Sequence, residues 1–203
     1  MNDMPAKLKA RADRKSAKRD GKKLKIANSA ITALQELGYA NTSLRDIAAK
    51  SDMSLGILHY YFEDRSDLII YCVRVYKQKF VKGIIDALDK ATGRDEVITV
   101  LSRALTSSIT KDAMTHRLWY DIRNQAVFDQ TFRPVVTEIE TLLVSIVARA
   151  FARAGHTAPP MVDLHYALLD GVFRFLMQDQ LTTTGRSTTD IEAIFVTVLD
   201  QVL

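Results

Sequence analysis

Apolar residues recur along this 203-residue chain at steps of three and four, and no stretch alternates with a period of two strongly enough to predict a strand. The first such face, Leu24, Ala27, Ala30, Ile31, Leu34 and Leu37, predicts a helix from Lys22. Gly38 ends it, because glycine accepts left-handed backbone angles without a Cβ clash. Ser43, with Asp46 three residues on, has the spacing of a short capping box and opens a second helix around Leu44, Ile47 and Ala48. After the polar break Ser51-Asp52-Met53, Ser54 is placed to cap a third short helix that turns Leu58 and Phe62 inward. Asp64 and Asp67 cap a fourth helix carrying Leu68, Cys72, Val75, Tyr76, Phe80, Ile84 and Leu88. Further helices are predicted over 97–105, 112–128, 135–151, 164–176 and 191–202. Thr92-Gly93, a proline-containing loop from Gly155 to Pro160 and a Thr- and Gly-containing loop over 182–189 separate them. The expected fold class is all-α, with about nine helices.

Charge divides the chain. Residues 1–79 hold 16 Lys and Arg against 9 Asp and Glu, whereas residues 80–203 hold 12 against 15. The first half suits an anionic partner such as a phosphate backbone, and the second does not. Residues 1–21, with Lys7, Lys9, Arg11, Arg14, Lys15, Lys18 and Arg19, read as a basic flexible arm. Cys72 is the only cysteine, so no intrachain disulfide and no Cys-based metal site is expected, which fits a cytoplasmic protein. No unbroken apolar run follows the basic N-terminus, and no stretch of about 18 apolar residues predicts a membrane span. Phosphate-binding glycine loops, a Gly-x-Ser-x-Gly elbow and a Glu-x-x-His motif are all missing, so no enzyme, cofactor or metal is expected.

The second and third helices form a pair joined by a tight turn. In Ser54-Leu55-Gly56-Ile57-Leu58-His59-Tyr60-Tyr61-Phe62, Leu58 and Phe62 anchor the helix, leaving Leu55, Gly56, Ile57, His59 and Tyr60 toward the outside. Small or modest side chains on an outward helix face can enter a major groove. The text Gly38-Tyr39-Ala40-Asn41-Thr42-Ser43-Leu44-Arg45-Asp46-Ile47-Ala48, then Met53 to Phe62, then Arg65-Ser66-Asp67-Leu68, resembles the DNA-binding domain of the TetR family of regulators. The resemblance implies that Thr42, Ser43 and Arg45 contact phosphates, and that Ser54, Leu55, Gly56, Ile57 and His59 lie on the reading helix. It further implies that Tyr60 touches the DNA backbone and that Arg65 reaches a phosphate. Leu55 and His59 depart from the common residues at their positions, which bears on the operator sequence. Leu55 and Ile57 are suited to thymine methyl groups or to packing.

The domains expected are the arm over 1–21, a helix-turn-helix domain over 22–66, and an effector-binding and dimerisation domain over 67–203. The fourth helix runs without proline from the basic region into the acidic one, so a ligand that shifts it would alter the spacing of two reading helices. Met114, Leu118, Trp119, Ile122, Arg123, Phe128, His165, Tyr166 and Phe173 are the candidates for an effector pocket. The resemblance places a homodimer interface on 161–179 and 190–203, with Phe195, Val198, Leu199 and Val202 as its apolar stripe. The function expected is a transcriptional repressor that binds a palindromic DNA operator as a homodimer and is released by a small-molecule effector. The alternative is a structural nucleic-acid-binding protein without an effector, which the long acidic half argues against.

Overall fold

The computed structural model describes residues 6–157, 159–182 and 185–203; the first five residues of the expected arm and parts of the two expected loops lie outside them. Among the described residues there is no strand. The helices are α1 (Ala6–Leu37), α2 (Leu44–Lys50), α3 (Leu55–Tyr61), α4 (Arg65–Leu88), α5 (Arg94–Phe128), α6 (Arg133–Arg153), α7 (Val162–Gln180) and α8 (Thr188–Val202), with a 3-10 turn at Gln130–Phe132 before α6. No described helix is long and apolar enough to cross a membrane.

The arm expected to be flexible is helical from Ala6 and continuous with α1. It lacks an apolar face, so periodicity was silent there. Its Ala, Lys and Arg are nevertheless good helix formers, and a lone Gly21 costs only about 1 kcal/mol. The buried stripe of α1 is Ile26, Ala27, Ala30, Ala33 and Leu34, while Leu24 and Leu37 are exposed. The stripe is thus rotated from the expected one, toward Ile26 and Ala33.

The chain forms two units, one ending at Val75 and the other running from Tyr76 to Leu203. The division falls inside α4, nine residues beyond the expected 66/67 boundary, because Leu68 and Cys72 belong to the core of the first unit. That core joins Ile26, Ala27, Ala30 and Ala33 of α1 to Ile47 and Ala48 of α2, Leu58 of α3, and Phe62. In the second unit α5 packs against α6, α7 and α8. Its interior is built on Trp119, Ile122, Phe132, Ile139, Leu176, Phe195 and Leu199.

The helices expected over 97–105 and 112–128 are one element, α5, with a kink at Asp112 (φ −128°, ψ 20°). Between the two expected helices, hydroxyls bond back along α5. Thr110 Oγ1 donates to Thr106 O at 3.0 Å, a type of bond that bends helices without ending them. Helix α7 carries two apolar faces. Leu169, Phe173, Leu176 and Met177 are buried, whereas Leu164, Leu168 and Phe175 stand open; of the stripe read from the sequence, Leu164, Leu168, Val172, Phe175 and Leu176, only Leu176 is buried.

Candidate nucleic-acid interface and ligand cavity

The first unit is shaped by its turns. Gly38 adopts φ 80°, and its N–H donates to Leu34 O at 2.9 Å, closing α1. Thr42 follows, buried, its hydroxyl donating to Gly38 O at 2.7 Å. The hydroxyl thus serves the turn. Ser43 caps α2 as expected. The Asp46 amide donates to Ser43 Oγ at 3.3 Å, and the Ser43 amide donates to Asp46 Oδ2 at 2.8 Å. The Ser43 hydroxyl and amide hold the Asp46 carboxyl below the usual carboxylate range.

Arg65 is also placed differently from the expectation. Its Nε donates to Thr42 O at 2.7 Å, a second nitrogen donates to Tyr39 O, and the guanidinium lies 4.5 Å from the Tyr39 ring centroid. At the first residue of α4, Arg65 clasps the α1–α2 turn rather than extending outward. A planar fork of donors suits two neighbouring carbonyls as well as it suits a phosphate.

Between α2 and α3 the turn is made by Asp52 at φ 52°, a left-handed position that aspartate tolerates better than most residues. Ser54 then caps α3, its Oγ accepting from the Ile57 amide at 3.3 Å. Leu58 is buried, and Leu55 packs partly buried on the core, which leaves Leu55 little reach toward a base. Gly56, Ile57, His59 and Tyr60 are exposed, with Ile57 at 46% and Tyr60 at 69%; Arg45 on α2 is exposed as well. A second wall faces this helix. Lys22 and Lys25 of α1 line a groove shared with Ser54, Gly56, Ile57 and Tyr60. The two lysines were not picked from the sequence, although Lys25 directly precedes Ile26 and the pair lies off the buried stripe, which is the signal that could have found them.

The second unit holds a narrow cavity, open at its mouth and walled chiefly by apolar side chains of α4, α5, α6 and α7. Of the expected pocket residues, Tyr166 and Phe173 line it. Arg123 reaches it indirectly. Its Nη1 lies 2.5 Å from Asp170 Oδ2 on the cavity wall and its Nε 2.6 Å from Glu140. Leu118, Trp119 and Ile122 fill the core, Met114 is half-buried off the cavity, and Phe128 is 85% exposed at the end of α5. His165 Nδ1 donates to Met161 O at 3.0 Å, and its ring meets that of Phe151. Leu118, Trp119 and Ile122 show that an aromatic or apolar residue on a long helix is more often core than wall.

The polar groups of the cavity are Lys77, Tyr120, Tyr166 and Asp170. Asp170 is satisfied, accepting from Tyr120 Oη at 2.9 Å and from Arg123. Lys77 is only 2% exposed and occupies the buried stripe of α4, four residues after Val73 and four before Val81. Its Nζ lies 4.9 Å from the Trp119 ring centroid, 5.0 Å from Phe80 and 5.6 Å from Tyr76. Burial pushes the Lys77 amine down to about 7, opposed by the Asp170 carboxylate and reinforced by Arg123. Nearby, His116 is held well below the usual imidazole range by burial and then by the Lys77 charge, with its Nε2 2.5 Å from Ser108 Oγ. Sequence reasoning missed Lys77, although a lysine at the helical spacing of buried valines is itself a signal.

Comparison with known proteins bears on both units. Residues 26–72 match the bacterial regulatory proteins of the tetR family. The chain is 21% identical over 160 residues to the HTH-type transcriptional regulator PksA of Bacillus subtilis (strain 168), covering 76% of this chain and 78% of that protein. Among solved structures it is similar to the transcriptional regulator FadR from Bacillus subtilis in complex with stearoyl-CoA, at TM-score 0.70 and 17% identity over 88% of this chain and 96% of that one. It is also similar to the multidrug binding protein EbrR complexed with proflavin, at TM-score 0.60 and 22% identity over 89% and 99%. These structural likenesses are of fold.

Proposed function

From a chain whose N-terminal unit belongs to the tetR family of bacterial regulatory proteins, we propose a cytoplasmic transcriptional repressor that grips a palindromic operator as a homodimer and releases it when a small molecule enters the cavity of the second unit. The observation that carries this reading is α3: one side is anchored by Leu58, while Gly56, Ile57, His59 and Tyr60 stand open beside Lys22 and Lys25. Such a face offers modest side chains to base edges and cations to phosphates. Arg45 and Tyr60 are assigned to the DNA backbone, and Ile57 and His59 to the bases.

A single seven-residue reading helix gives modest affinity, which two half-sites multiply. Phe195 and Leu199, expected at the dimer interface, are buried in their own unit. The open apolar residues Leu164, Leu168 and Phe175 of α7, with Val196 of α8, support the pairing with a second copy instead. An effector is supported by the cavity, and by relatives of the same fold that hold stearoyl-CoA or proflavin. Helix α4 supplies Leu68 and Cys72 to one core and Lys77, Phe80 and Ile84 to the cavity wall, which makes it the element for an effector to displace.

The test is selection of bound duplexes from a random pool, followed by anisotropy titrations across salt concentrations. A palindromic site preferred over random DNA by about 10³-fold or more is expected. Tyr60→Phe and Arg45→Ala weaken binding to every sequence, whereas Ile57→Ala and His59→Ala change which sequence is preferred. Purified protein with no attraction to duplexes at low salt would falsify the reading.

A further inference from the structure

The cavity of the second unit has a chemical bias. Asp170, the acceptor on its wall, is fully engaged by Tyr120 and Arg123. The donors are not. No hydrogen bond from Lys77 is found among the described residues, although it is 2% exposed, and the ring faces of Trp119, Phe80 and Tyr76 lie around its Nζ. The Tyr166 hydroxyl, also on the wall, is buried with no hydrogen-bond partner among the described residues. A buried ammonium without an anion or acceptor is among the costliest arrangements in a protein interior. The rest of the wall, including Ile84, Leu101, Leu143 and Leu169, is aliphatic.

We propose that this cavity takes a slim ligand with an apolar body and a single carboxylate, the carboxylate seated on Lys77 Nζ with the Tyr166 hydroxyl as second donor, and the body laid along the aliphatic wall. The proposal rests on the effector reading above and specifies its ligand. A carboxylate supplies what the site lacks, two acceptor oxygens and one negative charge. An amine would meet a second cation at Lys77 and find Asp170 already occupied. An alcohol offers an acceptor but leaves the charge of Lys77 uncompensated. Trp119, the only tryptophan, stands beside Lys77 and reports on its surroundings.

The experiment titrates the full chain, without DNA, with decanoate, decan-1-ol and decylamine below their micellar concentrations, following Trp119 fluorescence and heat. The expected result is decanoate bound at least about tenfold tighter than the alcohol, with the amine weakest, as a charge-assisted hydrogen bond requires. Lys77→Met, which removes a buried charge at nearly constant length, brings decanoate and decan-1-ol to within about twofold of each other. No binding of decanoate, an equal or better affinity for the alcohol or amine, or a carboxylate preference that survives in Lys77→Met overturns the proposal. DNA release is then measured separately on the selected duplex. Decanoate that binds through Lys77 yet leaves DNA affinity unchanged upholds this ligand assignment and counts against the effector-release reading.

Discussion

A single lysine shows how function sets itself against stability. Lys77 is charged in the unfolded chain up to pH 10.5 but in the folded protein only up to about 7. Between those values the unfolded chain binds more protons, so the stability associated with this residue rises with pH; at and below 7 the full cost of burying the ammonium is present. Lys77→Met is therefore expected to stabilise the protein by a few kcal/mol at pH 7, with the gain fading as pH approaches 10. Urea unfolding of both proteins at pH 7, 8.5 and 10 checks this. The neighbouring groups that titrate are separable. His116 is also depressed by burial, but its contribution changes below its ordinary value of 6.5, outside the window that belongs to Lys77. The phenols of Tyr76, Tyr120 and Tyr166 are all pushed up by burial, away from it. The charges of Asp170, Arg123 and Glu140 surround the site but are tied to one another. A gain that is the same at every pH would place Lys77 in water rather than in the wall.

Among the elements, the short ones were the most legible. Ser43-Asp46, Ser54 and Asp64-Asp67 announced the starts of α2, α3 and α4, because a cap is a local bargain between one side chain and the next turn's amides. Legibility failed where a helix had no apolar face, as in α1 before Lys22, or had two, as in α7. Side-chain destinations were harder still. Arg65 looked like a phosphate ligand, yet the Tyr39 and Thr42 carbonyls claim it, and nothing in the spacing distinguishes a carbonyl from a phosphate as partner. Arg65→Ala is expected to destabilise the first unit by about 1–3 kcal/mol, read as a lowered melting temperature. If its guanidinium stays on the turn, the slope of log affinity for DNA against log salt remains unchanged; loss of one phosphate contact would instead reduce that slope by about 1. The cavity was half visible. Tyr166 and Phe173 were found, whereas Tyr120 and Asp170 were not, because convergence of four helices on one space is a property of their packing.

At the scale of the molecule, the charge division of the sequence runs parallel to the placement of the two candidate sites. The basic half contains the groove with Lys22 and Lys25, and the acidic half contains the cavity. Three exposed large apolar residues, Leu164, Leu168 and Phe175, lie on α7. Replacing Leu168 and Phe175 together by Glu is expected to convert the proposed homodimer into a 22.8-kDa monomer in sedimentation equilibrium. The same change should lower affinity for a palindrome by about 10²–10⁴ while leaving half-site binding nearly intact. Dimers that persist unchanged in the double variant would move the interface elsewhere.

Helix α4 has a further consequence, for descent rather than for mechanism. Its Leu68 and Cys72 answer to the core of the first unit and its Lys77, Phe80 and Ile84 to the cavity, so a substitution that moves the whole helix is tried twice. Leu143, Ile146 and Val147 on α6 answer to the cavity alone among these two tasks. A lineage acquiring a taste for a new compound can therefore remodel α6 freely long before it can afford to touch α4.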